Sequence, residues 1–92
     1  MISETTPRFW QCFELLPKEI KEKARNVFQL FQKNPYHPSL HFKRLPVKTP
    51  IYSARISRSY RALCIVEGDD AIWFWIGSHS DYEKMIKSMR DK

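Results

Sequence analysis

The stretch "YSARISRSYRALCIV", residues 52–66, decides the fold. Its β-branched and aromatic residues, interrupted by the hydroxyl-rich segment at residues 57–59, predict two strands joined in a hairpin. Arg55, Arg58 and Arg61 are spaced three residues apart here, and no acidic residue accompanies them. Three guanidiniums without a local counter-charge raise the question of what offsets their charge on this hairpin.

The length of the turn decides where the arginines point. A three-residue loop at residues 57–59 pairs Arg55 with Arg61, so that both lie on one face. A two-residue loop would put them on opposite faces, but such turns favour Gly or Asn, and here only Arg58 and Ser59 are available. We therefore predict the longer loop. The other face then carries a plausible core, formed by Tyr52, Ala54, Ile56, Tyr60, Ala62 and Cys64.

Two helices are predicted before this hairpin. Thr6 is a suitable N-cap, with Pro7 at the first helical position. Pro17 opens the second helix, and Asn34 and Pro35 end it. The apolar residues at helical spacing are Phe9, Trp10, Phe13 and Leu16 in the first helix, and Ile20, Ala24, Val27, Phe28 and Phe31 in the second.

The rest of the chain predicts a small sheet and a last helix. Residues 51–57, 60–66 and 71–76 have strand composition, and the proline-rich segment before them allows one short edge strand at residues 40–45. Ser80 and Glu83 match a capping box, which opens a helix whose apolar stripe is Tyr82, Met85, Ile86 and Met89. The expected fold class is α+β, with N-terminal helices packed on a small antiparallel sheet and a short C-terminal helix.

Length and composition indicate one domain over residues 1–92. The longest apolar run, residues 71–76, is too short to cross a membrane, and the N-terminus has no secretory h-region. Cys12 and Cys64 lie in apolar patterns and are expected to be free thiols. These features predict a cytoplasmic protein.

The basic residues are concentrated in one segment of the chain. Between Glu22 and Glu67 there are nine Lys and Arg residues and no acid, so this segment carries +9 and the remainder −3 of the net charge of +6. Such polarity predicts a polyanionic partner. The alternative is a solvated basic face that only keeps the protein in solution.

An anion would also explain the pair of arginines on the hairpin. Like charges directly opposite each other destabilise a ladder, whereas a phosphate between Arg55 and Arg61 would be held by two guanidinium forks. The alternative is that the two side chains splay into water. His37, His41 and the two cysteines lack zinc-site spacing, and there is no Gly-rich phosphate loop, so neither a metal nor a nucleotide cofactor is expected.

Four segments of the chain resemble the RelE/ParE superfamily of toxin–antitoxin toxins: "NPYHPSLHFKRL", "YSARISRSYRAL", the acidic turn after it, and "WFWIGSHSDYEKMI". The resemblance implies a compact α+β domain that cleaves mRNA in the ribosomal A site without a metal. It also implies a cognate antitoxin, expected to be acidic, as the partner that silences the toxin. Many relatives begin with a strand, whereas "RFWQCFELL" predicts a helix here.

The resemblance also implies site residues. Arg61 matches the phosphate-binding arginine of the family, and Arg55 matches the arginine that often precedes it. His79 and Tyr82 match positions at which several members place an acid or a base. The RNA-binding candidates are the basic residues on the hairpin and on the loop before the sheet, namely His41, Lys43, Arg44, Lys48 and Arg58.

The chemistry of RNA cleavage constrains the roles of these residues. The 2′-hydroxyl attacks the adjacent phosphate, which requires a base, an acid and cationic stabilisation of the phosphorane. Histidine is the side chain that ordinarily changes its charge near neutral pH, so His79 is the candidate base, while Tyr82 could donate a proton or stack on a nucleobase. The structural alternatives are a turn or capping role for His79 and a core role for Tyr82. Two other functions remain open: an inactive RNA- or protein-binding module, and a ParE-like gyrase inhibitor.

Overall fold

The computed structural model describes residues 1–90 as a five-stranded sheet with helices on both sides. The sheet has the order β1-β5-β4-β3-β2. In chain order the elements are β1 (Ile2–Thr5), α1 (Pro7–Glu14), α2 (Lys18–Lys33), a 3-10 turn (Pro38–Leu40), β2 (Lys43–Arg44), β3 (Ile51–Ser57), β4 (Tyr60–Glu67), β5 (Asp70–Ser78) and α3 (His79–Arg90). The predicted α+β class, with helices before the sheet and one after it, is confirmed.

Both N-terminal helices begin at the predicted residues. The Thr6 hydroxyl oxygen accepts a hydrogen bond from the Phe9 N–H at 3.2 Å, and Pro7 occupies the first turn of α1. Pro17 precedes α2, and Asn34 follows its last residue. Local sequence alone therefore specifies the bounds of these helices, because caps and prolines act within a few residues.

A strand precedes the helices, contrary to the prediction. The Ile2 N–H donates to the Asp69 carbonyl at 2.8 Å, and the Thr6 N–H donates to the Trp73 carbonyl at 3.1 Å. Because β1 runs parallel to β5, the sheet is mixed rather than antiparallel. The sequence of β1 contains only one apolar residue, so hydrophobic alternation could not indicate this strand.

The β3–β4 hairpin has the predicted pairing but a different turn. Arg55 lies opposite Arg61 and Ser57 lies opposite Tyr60, which leaves Arg58 and Ser59 as a two-residue turn. The register shifts between Arg55 and Ser57, so Ile56 is the extra residue of a bulge. The prediction of a three-residue loop is wrong. Because Ile56 is an extra residue, both arginines still lie on the same face of the sheet, as predicted.

The main core lies between the sheet and α1 and α2. Trp73 is almost fully buried at its centre, with the rings of Phe28 and Phe31 edge-to-face at centroid distances of 4.9 and 5.1 Å. Such aromatic pairs add about 0.5–1.5 kcal/mol each beyond their area burial. The core face predicted for the hairpin is confirmed, since all six of its residues belong to this core or pack against it: Tyr52, Ala54, Ile56, Tyr60, Ala62 and Cys64.

A second apolar cluster lies on the opposite face of the sheet, beneath α3. Leu63 and Trp75 are buried there, and the predicted stripe of α3 covers them with Tyr82, Met85, Ile86 and Met89. No described residue of α3 is fully buried, so this helix is held by one half-buried stripe. Within residues 1–90, no helix is both long and apolar enough to cross a bilayer.

The cap of α3 differs from the prediction. The Ser78 hydroxyl oxygen accepts from the Asp81 N–H at 3.2 Å, and the helix begins at His79. The predicted capping box of Ser80 and Glu83 is therefore wrong. Two serines stand two residues apart in this segment, and local sequence did not discriminate between them.

The two thiols should differ sharply in reactivity. Burial raises the pKa of Cys64 to about 12, which suppresses its reactive thiolate near neutral pH, whereas Cys12 is only partly buried. We expect Ellman's reagent to modify one thiol quickly in the native protein and the second only after urea unfolding. Cys12→Ser should remove the fast phase. A fast phase that persists in Cys12→Ser would contradict this packing.

Candidate functional site

The candidate site lies on the face of the sheet that α3 partly covers, close to the β3–β4 turn. Arg55 and Arg61 face each other across the ladder there. Ser53 lies two residues before Arg55, so it shares this face. Strands β3 and β4 therefore form the base of the site, and α3 begins at its edge. The hairpin alone would suggest instead that this face is open to solvent.

Arg61 is anchored by the turn that precedes it. Its Nη1 donates to the carbonyl oxygens of Ser57 at 2.6 Å and Tyr60 at 3.0 Å. Nε and Nη2 make no hydrogen bond with any of the described residues. Since a guanidinium binds phosphate through two parallel N–H groups, the free edge of Arg61 is available for that interaction.

The electrostatics of the arginine pair are unfavourable without a further partner. Burial lowers the pKa of Arg61, the neighbouring Arg55 guanidinium lowers it further, and the Tyr82 phenol opposes the change. Within the described chain, no carboxylate lies within 4.0 Å of either arginine. Arginine stays protonated in proteins, so two cations share this site, and no carboxylate of residues 1–90 neutralises them.

The first turn of α3 places the predicted proton-transfer residues, His79 and Tyr82, near the arginine pair. The His79 N–H donates to the Ser59 carbonyl at 2.7 Å, which ties the start of the helix to the hairpin turn. The rings of His79 and Tyr82 lie with their centroids 5.7 Å apart. The Tyr82 hydroxyl lies 3.5 Å from the Ser53 Oγ, and this directs the phenol towards the strands.

Gly77 allows the sheet and α3 to meet closely here. It lies opposite Arg61 in the β4–β5 pairing. A Cβ at this position would lie 2.5 Å from Cζ2 and 2.9 Å from Cη2 of Trp75, so the indole lies directly against the glycine backbone. Only glycine permits that approach, which keeps Trp75 under α3 and beside the arginine pair.

The two basic residues of β2 lie on different faces. Lys43 pairs with Ser53 and shares the face of the candidate site, whereas Arg44 pairs with Tyr52 and belongs to the face of the main core. Arg44 Nη2 donates to the Lys48 carbonyl at 3.4 Å, beyond the end of β2. The sequence analysis treated Lys43 and Arg44 as one group, but side chains alternate along a strand, so the two residues lie on opposite faces of the sheet.

The other RNA-binding candidates lie at the margins of the sheet. Arg58 is exposed at the tip of the β3–β4 turn. His41 has a left-handed backbone with φ of 45° before β2, and Lys48 is exposed in the loop after it. The structure thus brings Arg55, Arg61, His79, Tyr82 and Lys43 to one face of the sheet, with Arg58 at its rim.

Sequence reasoning missed two polar residues of this site. Ser53 is buried, at 7% exposure, and faces Tyr82. Glu83 Oε1 lies 3.5 Å from His79 Nε2, one helical turn away. The spacing of His79 and Glu83 is a typical i,i+4 helical pair, but this pair could be recognised only once the helix start was placed at His79.

Comparison with known proteins places the chain in a family. Residues 18–84 match the family model described as a ParE-like toxin domain, and the chain belongs to this family. The resemblance to the RelE/ParE superfamily seen in the sequence is thereby confirmed. No curated protein matches the sequence.

Solved structures of toxins share the fold at low sequence identity. The RelB–RelE antitoxin–toxin complex of Methanococcus jannaschii aligns with a TM-score of 0.74 at 16% identity, covering 89% of this chain and 96% of that chain. The YoeB/ParE toxin of Agrobacterium tumefaciens aligns with a TM-score of 0.69 at 18% identity, over 86% and 99%. YafQ of E. coli also gives 0.69, at 14% identity, over 87% and 94%.

Replacing Gly77 by Ala should disturb the indole beneath α3. The added Cβ has no room beside Trp75, so we expect destabilisation of about 1–3 kcal/mol, typical of overpacking, measured by urea unfolding. Trp75→Phe removes the ring atoms that clash. The double variant should therefore lose less stability than the sum of the two single variants. Additive losses would show that the glycine does not serve to admit the indole.

Proposed function

We propose that this protein is the toxin of a type II toxin–antitoxin pair and a metal-independent, ribosome-dependent mRNA endoribonuclease. The observation that carries the proposal is the opposed pair of Arg55 and Arg61, unneutralised, beside the His79 and Tyr82 side chains at the start of α3. Membership of the ParE-like toxin domain family supports the toxin role.

The substrate phosphate would bind between the two arginines. Arg61 offers its free Nε and Nη2 edge, while its Nη1 stays bonded to the turn, so the guanidinium is already oriented before the substrate arrives. Lys43 would contact a neighbouring phosphate on the same face. A bound phosphate also offsets the repulsion between the arginines, so part of the binding free energy comes from relieving an existing strain.

The reaction is an internal transfer at phosphorus. The 2′-oxygen forms a bond to the adjacent phosphorus and gives its proton to His79, the P–O5′ bond breaks, and Tyr82 donates a proton to the leaving 5′-oxygen. The products are a cyclic 2′,3′-phosphate and a 5′-hydroxyl. Arg55 and Arg61 stabilise the negative charge that develops on the equatorial oxygens, and Glu83 orients the His79 ring from one turn away.

An acidic antitoxin is the proposed partner that silences this site. The segment between Glu22 and Glu67 carries nine basic residues and no acid, so an acidic chain would be attracted to it. The structure from Methanococcus jannaschii is an antitoxin–toxin complex, and it supports a partner of this kind. A cytoplasmic location is part of the proposal, since the proposed ribosomal substrate is found there.

Replacing Arg61 by Ala should strongly reduce cleavage while leaving the fold intact. Loss of one preorganised cationic donor lowers kcat by about 10²–10³-fold. Removing the side chain loses its hydrogen bonds to the turn but also relieves repulsion by Arg55, so the stability should change by only about 1 kcal/mol or less. The measurement is mRNA cleavage on translating ribosomes, with urea unfolding of the same samples.

Arg8→Ala is the matched control, because it removes the same charge from the exposed start of α1. It should cleave like the wild type. If Arg61→Ala cleaves normally but unfolds much more easily, Arg61 is structural. If wild-type protein never cleaves mRNA on ribosomes, the nuclease proposal is wrong and a non-catalytic binding role replaces it.

Charge reversal within β2 should distinguish its two faces. Lys43→Glu should weaken binding to a labelled RNA oligonucleotide more than Arg44→Glu, because only Lys43 shares the face of the arginine pair. The difference should shrink as salt rises from about 50 to about 200 mM, since phosphate contacts release counterions. Fluorescence anisotropy measures both affinities. Equal losses would indicate a diffuse basic surface rather than one directed face.

A further inference from the structure

Two methionines contribute to the stripe of side chains that attaches α3 to the sheet. Met85 and Met89 are four residues apart, so they lie on the same face of the helix. Both pack against the second apolar cluster, in which Leu63 and Trp75 are buried. Since the whole stripe has only four members, the packing of α3 depends in large part on two thioether side chains.

The later turns of α3 have no polar attachment to the rest of the fold. The hydrogen bonds of the His79 N–H and the Tyr82 hydroxyl tie the first turn of the helix to the β3–β4 hairpin. Within residues 1–90, no hydrogen bond or ion pair joins residues 84–90 to another element. The helix is therefore fixed at its start and held only by apolar contacts further along.

The two sulfurs are open to a small oxidant. Met85 and Met89 are both partly exposed, and no described residue of α3 is fully buried. A thioether reacts directly with hydrogen peroxide. The sulfur donates an electron pair to one peroxide oxygen, an S–O bond forms and the O–O bond breaks. The proton of the transferred oxygen leaves with the other oxygen as water, so sulfur loses two electrons and peroxide gains two.

The product is poorly suited to the position that the thioether occupies. Methionine sulfoxide is polar, and its oxygen requires a hydrogen-bond partner when it is removed from water. The side chains of the second apolar cluster beneath α3 are hydrophobic, among them Leu45, Ile51 and Leu63. The sulfoxide oxygen is therefore better satisfied in water than against the sheet, and this favours separation of the helix from the cluster.

From these features we infer that Met85 and Met89 form a reversible oxidation site, at which peroxide releases the later turns of α3 from the sheet. Release exposes Leu63 and Trp75, while the first turn of the helix stays tied to the hairpin. Methionine sulfoxide reductases, one for each sulfoxide epimer, reverse the modification. The inference does not depend on nuclease activity, because it concerns the attachment of the helix and is measured without RNA.

Peroxide treatment, followed by peptide mass spectrometry and amide hydrogen exchange, tests this inference. Every sample carries Cys12→Ser, which removes the partly buried thiol, and the buried Cys64 thiol reacts slowly because burial raises its pKa to about 12. Met85 and Met89 should each gain one oxygen atom. The amides of residues 84–90 should then exchange about tenfold or more faster, the factor expected when an apolar side chain of this size loses its burial.

The same samples show whether the change is local and reversible. The amides of α2, which packs in the main core, should change by less than about twofold, because local opening of one helix leaves the rest of the fold closed. Both methionine sulfoxide reductases together, with a thiol reductant, should restore slow exchange in residues 84–90.

Two pairs of substitutions separate oxidation from other effects. Met85→Leu with Met89→Leu keeps the stripe apolar but removes both sulfurs, so peroxide should leave α3 unchanged even though Met1 can still be oxidised. Without peroxide, Met85→Gln with Met89→Gln introduces polar side chains of similar length and should reproduce the fast exchange. Lys84→Gln is the matched control on the exposed face of the same helix, and it should change the exchange by less than about twofold.

Several results would overturn the inference. One is that Met85 and Met89 resist peroxide at a concentration that oxidises free methionine. Another is complete oxidation with unchanged exchange in residues 84–90, or an equal peroxide response in the double leucine variant. Equally faster exchange throughout α2 would indicate global unfolding instead of release of one helix. Failure of the reductases to restore slow exchange would show that the modification does not act as a reversible site.

Discussion

Two guanidiniums face each other across the β3–β4 ladder, and several features of the sheet hold them there. The bulge at Ile56 keeps Arg55 and Arg61 on one face despite a two-residue turn. Carbonyl oxygens of the turn hold Nη1 of Arg61, and the Ser59 carbonyl ties down the start of α3. Since like charges across a ladder destabilise it, these restraints keep an arrangement that an isolated hairpin would relax. The main core on the other face supplies the stability that offsets this cost.

Most of the fold could be predicted because its signals are local. Thr6 and Pro17 set the helix starts, and alternation in β3 and β4 sorted core from surface. The features that the sequence analysis missed depend on pairing between distant segments or on small changes in strand register. The strand β1 has one apolar residue and exists through its pairing with β5, far along the chain. The bulge at Ile56 keeps Arg55 opposite Arg61, which the two-residue turn alone would not do. The residue types of the turn do not indicate that this bulge is present.

The candidate site was predicted in part for the same reason. The sequence analysis placed Arg55 opposite Arg61 through a three-residue loop, whereas in the structure a two-residue turn and the bulge at Ile56 produce the same opposition. Lys43 and Arg44 lie on opposite faces because side chains alternate along a strand. Assigning each residue to its face required the register of the two-residue strand β2, which the sequence indicates only weakly. The contact of Tyr82 with Ser53 joins α3 to β3 across the tertiary structure, and no local pattern reports it. This contact depends on how the chain folds α3 over β3, and it cannot be recognised from the amino-acid composition of either segment.

The central claim is that the arginine pair holds an anion, and thermal unfolding in phosphate tests it most directly. A ligand that binds only the native state stabilises it in proportion to ln(1 + [L]/Kd). Phosphate should therefore raise the Tm of the wild type above its value in chloride at equal ionic strength. Arg55→Ala, which removes one guanidinium of the opposed pair, should lose most of that increase. An equal rise in both proteins would reflect general exclusion of phosphate from protein surfaces and would contradict an anion site between Arg55 and Arg61.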